Sequence, residues 1–137
     1  MPKLTRWFIK SGFICLITAL SIGVIIKSQI IQIASFSSAA TPVYFHLFMV
    51  GWVTQLIFGV SYWMFPRFSR DKPRGSLLLG WSCFWLLNVG LFLRMIGEPL
   101  NHTYQNKFGW MLLISAVLQW LAGMFYIFNT WLRIKGD

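Results

Sequence analysis

The sequence predicts an all-α fold, an integral membrane four-helix bundle with both termini in the cytoplasm, and three observations carry that expectation. Hydrophobic residues make up 57% of the 137 and charged residues 11%, against about 25% charged in a soluble domain. Four apolar runs each approach the ~20 residues that a membrane-spanning helix needs. The basic residues, which bring the net charge to +9, lie beside those runs and do not form a solvated domain of their own, which is the pattern of membrane topology.

The spans are expected at about residues 7–27, 42–65, 76–97 and 109–132, one transmembrane domain covering 1–137. Pro42 stands where a helix start tolerates proline, and Pro66 and Pro99 stand where helices have ended. The first run also resembles a signal peptide, with "SSAA" at Ser37 to Ala40 as a cleavage region. Its apolar core is long, so it is read as a retained helix.

Lys3, Arg6 and Lys10, then Arg67, Arg70, Lys72 and Arg74, then Arg133 and Lys135 all fall on one side of these spans. The other side has Lys27, Arg94 and Lys107. The positive-inside rule puts the richer side, with both termini, in the cytoplasm. Trp7, Trp63, Trp81 and Trp131 then sit at the cytoplasmic interface, where indoles collect. A bacterial inner membrane is the expected location, and membrane lipid the first partner.

The composition also narrows function. No RNA- or DNA-binding motif accompanies the charge, so no nucleic-acid partner is expected. Cys15 and Cys83 lie inside apolar runs without metal-ligand spacing and read as small packing residues. The only acids are Asp71, Glu98 and Asp137, which gives no carboxylate pair in a span for proton transport. There is no Ser-His-Asp set, phosphate loop or closed Cys/His site, so catalysis by this chain alone is not expected.

At about 100° per residue, small and polar side chains fall into stripes suited to close helix packing. Ser11, Cys15 and Thr18 align in the first span, with Ala19 and Gly23 nearby. Gly80, Cys83, Leu87, Gly90 and Arg94 share a side of the third, and Ser115, Gln119, Ala122, Tyr126 and Asn129 a side of the fourth. The second span has two special faces. His46, Met49, Val50, Val53, Ile57 and Met64 lie on one, and Gly51, Gln55, Gly59 and Tyr62 nearly opposite. A four-helix core fills only one of them, so a cofactor or another protein surface is expected on the other.

His46 is the functional candidate, because an ionisable side chain in hydrocarbon is costly unless it has a partner. The topology puts it about one helical turn inside the outer surface, on the side that also holds Arg94, Glu98 and His102. Imidazole is an axial ligand for haem iron, and arginine pairs with a propionate. Each also has a simpler reading: a hydrogen bond to a helix for His46, an i,i+4 pair with Glu98 for Arg94, and a solvated loop position for His102.

The segment "GVSYWMFPR" (Gly59 to Arg67), with a histidine early in the same helix, resembles helix II of haem-copper oxidase subunit I, and the likeness extends to the cbb-type oxidase and nitric oxide reductase branches. "FWLLNVG" (Phe84 to Gly90) resembles part of helix III, and the likeness covers roughly Tyr44 to Arg94. It implies haem b ligation at His46 near the outer surface. The family's catalytic subunit has about twelve spans and further histidines, so this resemblance does not extend to oxygen or nitric oxide reduction. Two readings follow. In one, the chain is a small haem b protein for electron transfer in a respiratory or photosynthetic membrane chain, with His46 as axial ligand, Arg94 on a propionate, and His102, a partner's histidine or nothing as the second ligand. In the other, it is a cofactor-free accessory subunit of a larger energy-converting complex. A homodimer or a larger membrane complex is the expected assembly in either case.

The topology has a direct check. A cysteine label placed at Ser69 should react only from the cytoplasmic side and one at Asn106 only from outside. The opposite accessibility at both positions would reverse the placement of His46.

Overall fold

The computed structural model describes residues 1–28, 34–66 and 75–134. Among them all regular structure is helical: α1 (Lys3–Ser28), α2 (Ala34–His46), a π-helical segment (Leu47–Thr54), α3 (Gln55–Met64), α4 (Leu77–Thr103) and α5 (Gly109–Thr130), closed by a 3₁₀ turn at Trp131–Arg133. Four helical stretches are long and apolar enough to cross a membrane, and α2, the π segment and α3 form one of them. The "RFSRDKPRG" cluster, apart from Gly75, and Lys135 lie outside the described residues.

The helices pair as two hairpins. One is α1 against α2, the π segment and α3; the other is α4 against α5, the most extensive contact in the bundle. They meet where α2 packs on α4. At the other end long side chains bridge α3 and α5: the Phe58 and Tyr126 rings stack at 3.9 Å, and the Ser61 and Tyr126 hydroxyls are 2.6 Å apart.

The expected packing faces are the ones buried. Gly51, Gln55, Gly59 and Tyr62 face inward on the second span, Gly80, Cys83, Leu87 and Gly90 on α4, and Ser115, Ala122 and Asn129 on α5. Small residues matter because in lipid there is no hydrophobic drive between helices, and close van der Waals approach replaces it. A Cβ at Gly51 would lie 2.8 Å from that of Cys15, and one at Gly59 2.8 Å from that of Phe8. Near the other end of α1, Gly23 accommodates the ring of Tyr44.

Two prolines do not mark the boundaries expected of them. Pro42 lies inside α2, so the second span starts well before it, and "SSAA" is helical. Pro99 lies inside α4, which continues to Thr103. Proline lacks one backbone N–H and so costs the helix one hydrogen bond, a loss that a membrane-spanning helix can absorb. The α4–α5 turn is then short, with Gln105 (φ 50°) and Asn106 (φ 65°) left-handed.

The end of the bundle that gathers the chain's start, the end of α3 and the start of α4 is clamped by two side chains. Asn129 accepts from Ser76 N at 2.9 Å, donates to Ser76 O at 3.1 Å and donates to the Tyr62 hydroxyl. Arg133, 1% exposed, donates to the carbonyls of Tyr62, Phe65 and Pro66 at 3.2, 2.8 and 3.1 Å. These are carbonyls that a helix C-terminus leaves without partners, and its dipole favours a cation there. Trp7 and Trp81, 6.3 Å apart, share this end.

The glycine contacts can be tested by contrast. Gly59→Ala should lower stability by about 1–3 kcal/mol through overpacking against Phe8. Gly123→Ala, where an added Cβ meets nothing within 4 Å, should be neutral or stabilising by up to ~1 kcal/mol. Reversible unfolding in mixed micelles measures both, and equal effects would remove the close-packing account.

Candidate functional site

His46 ends α2, immediately before the π segment. Because α2 begins before Pro42, His46 lies ten residues, about 15 Å, along from the Phe36 that opens the apolar span. This is further along the helix than a start at Pro42 implies. Its Nδ1 is 2.9 Å from the Pro42 carbonyl oxygen. A carbonyl only accepts, so Nδ1 carries the proton and donates it. Nε2 of the neutral ring is then the atom with the free lone pair. A histidine that ligates a metal is commonly held in this way, its second nitrogen bonded to a backbone carbonyl.

Its surroundings are apolar and open. Phe45 and Met49 beside it are 56% and 54% exposed, and Ile57 and Met64 further along are also exposed. Val50, expected on that face, instead packs partly buried against the core around Leu4, Tyr62 and Leu87. The π segment explains the difference. Its i→i+5 bonding, reinforced by Thr54 Oγ1 donating to Met49 O at 2.9 Å, turns each residue through less than the α-helical angle, so the face drifts. Such segments are rare and collect at functional sites.

Met95, next to Arg94, packs against the cluster of Ala19, Val43 and Leu47, the last two of which flank His46 in sequence. The Arg94 guanidinium is paired with Glu98, with Nε and Nη2 each 3.1 Å from Oε1. His102 is in the last turn of α4 and not in a loop, because α4 runs through Pro99. It is exposed and stands two turns, about 12 Å, beyond Arg94 along the helix. His102 is thus set apart from Arg94 along α4 and does not converge on it as expected. No hydrogen bond joins the three, and no group of three or more His, Cys, Asp or Glu side chains converges among the described residues.

The strongest polar cluster lies elsewhere. Gln55 is fully buried and accepts from Ser11 Oγ, while its Nε2 donates to Asn88 Oδ1 at 3.1 Å. Asn88 Nδ2 donates to Phe84 O at 2.8 Å. Ser11 and Gln55 were visible as stripe members, but Asn88 was not singled out. An asparagine in an apolar run was the available signal. Trp52 Nε1 is buried without an acceptor among the described residues.

The fit to haem is specific at one point. His46 presents Nε2 from an anchored ring beside an exposed apolar face, which suits an axial imidazole and the flat macrocycle it would hold. The profile of the family described as Cytochrome C and Quinol oxidase polypeptide I matches residues 3–100, well over half of the chain. No curated protein and no solved structure gives a significant match.

The polar cluster generates its own check. Gln55→Leu should cost about 1–2 kcal/mol in unfolding free energy. Combined with Asn88→Leu, the loss should fall short of the sum of the single effects by about 0.5 kcal/mol or more. Strict additivity would mean that the two amides do not act as one unit.

Proposed function

The chain belongs to the Cytochrome C and Quinol oxidase polypeptide I family, and from that premise we propose that it is a haem b protein of a respiratory or photosynthetic membrane, with His46 Nε2 as an axial ligand. The observation that carries this is the Nδ1 bond to the Pro42 carbonyl, which fixes the tautomer and aims the ring. Bound haem supplies reversible one-electron transfer at iron. The chain's part is to orient the imidazole, keep water from it with Phe45, Met49 and Val53, and balance a propionate with Arg94. Arg94 does so only by sharing or exchanging Glu98.

On this reading both termini are cytoplasmic, the membrane is a bacterial inner membrane, and the likeness to the cbb-type and nitric oxide reductase branches is one of ligation. The chain carries two histidines, so it is read as an electron carrier with oxygen or nitric oxide reduction not assigned to it. The exposed face of the second span is where a second copy or a larger complex would close over the cofactor. The Arg94–Glu98 pair favours the other reading, a cofactor-free accessory subunit, because it already satisfies the arginine.

Spectroscopy separates the two. The protein purified with its native partners should give a b-type spectrum and protoporphyrin in a pyridine haemochrome assay. His46→Ala should abolish the reduced bands in a chain that still inserts. His46→Met should keep some haem with a shifted spectrum, since thioether is also an axial ligand. Arg94→Leu should weaken retention less. His102→Ala should change the spectrum to a five-coordinate one only if His102 is the second ligand. Absence of protoporphyrin from the wild-type complex would leave the accessory reading in its place.

A further inference from the structure

α1 and α4 touch only sparsely, and a groove of about 540 Å³ opens between them near the start of α1. Lys3, Arg6 and Lys10 line it, at i, i+3 and i+7, which is one face of a helix. Beside them its walls are Trp7, Ile14 and Trp85, all more than half exposed, and its floor is Ser11 and Asn88. The floor atoms are already bonded to Gln55 and to each other, so they make no demand on an occupant.

Among the described residues no carboxylate is paired with the three cations. Asp71 and Asp137 lie outside the described residues. Glu98, held by Arg94, is ten residues, about 15 Å, beyond Asn88 along α4. A site with cations at the mouth and aromatic and aliphatic walls reaching into the span matches an amphiphile with an anionic head and an apolar tail. Basic pockets between transmembrane helices commonly hold anionic headgroups. The other end of α1 supplies a comparison. There a groove of about 480 Å³ lies between α1 and α2 with a single cation, Lys27. Similar volume with less charge should bind lipid without selecting its head.

We propose that the groove between α1 and α4 is a binding site for one anionic phospholipid, its phosphate held by Lys3, Arg6 and Lys10 and an acyl chain laid along Trp7, Ile14 and Trp85. Lys10 reaches the headgroup by extending its stem up the groove, as long cationic side chains do at interfaces. The tryptophans brace the glycerol level, where indoles prefer to sit. The site is independent of haem.

Native mass spectrometry of the full chain in detergent, titrated with phosphatidylglycerol or phosphatidylcholine, tests it. The wild type should bind one phosphatidylglycerol more tightly than phosphatidylcholine, by about tenfold or more given about fivefold per cation near an anionic head. Replacing Lys3, Arg6 and Lys10 together by Gln should bring the ratio close to one, and Lys27→Gln should leave it unchanged. Since removing N-terminal charge can disturb insertion, Ile14→Trp provides a second variant that fills the groove and keeps every cation. It should lose the selective site as well. Equal binding of the two lipids by the wild type would overturn the proposal. So would selectivity that survives Ile14→Trp, which would show a diffuse charge effect and no groove.

Discussion

A buried amide in hydrocarbon has no water to turn to, and Gln55 makes that constraint the centre of the bundle. Its side chain is fully buried and reaches Ser11 on α1 and Asn88 on α4 at once. A glutamine can do this only if both helices come close, and Gly51 and Gly59, one turn to either side, allow α1 to approach. The magnitudes assign the roles. Interhelical hydrogen bonds in membranes average about 0.6 kcal/mol, so the amide cluster adds only a modest share of stability. What it adds is register: slide α1 by one residue and Ser11 no longer faces Gln55, while the bulk of Cys15 or Phe8 meets a residue other than glycine. Packing holds the helices together, and the amides decide where.

The same constraint explains what was legible in the sequence. Stripes of small and polar residues sorted correctly onto inward faces, because small residues let helices approach closely and polar ones find hydrogen bonds there, so Gly80, Cys83, Gly90, Ser115 and Asn129 read directly as contacts. The prolines misled because their local rule is one of water-soluble helices. In a span, the alternative to helix is unpaired backbone in hydrocarbon, and α2 and α4 therefore run through Pro42 and Pro99. That put His46 further from the helix start and turned His102 from a loop residue into a helical one. The π segment was not legible, since a face drawn at a uniform angle cannot anticipate a wider turn. It carried Val50 to the core and left Met49 outside. Asn88 was missed because it stands one residue off the Leu87 and Gly90 stripe.

Among the candidate site residues, the pattern exposed the partners but not their competition. Among the described residues Arg94 has one neighbour of opposite charge within reach, Glu98, and the helix brings them together at i,i+4. An exposed pair of this kind is worth about 0.3–0.5 kcal/mol, and this one, only partly exposed, is still a contact that a second carboxylate can replace. For His46 the decisive information was the partner of Nδ1. The sequence could show a histidine four residues after a proline. Only the continued helix shows that the proline carbonyl points back at the ring.

The position of α5 bears on where a cofactor would sit. Residues 3–100 carry the family match, and α5 lies beyond it. It covers α4 along its length, with Ser115 Oγ on the Gly90 carbonyl at 2.6 Å and Tyr126 stacked on Phe58. That closes the inward faces of α3 and α4 without reaching the opposite face of the second span. Phe45, Met49, Ile57 and Met64 stay open on the side where His46 ends α2. On the haem-binding reading proposed above, a cofactor held by His46 would lie on this open side and not in the four-helix core. Ligation and assembly would then be one event: the surface that holds the ring from one side needs a second surface to shield it from the other.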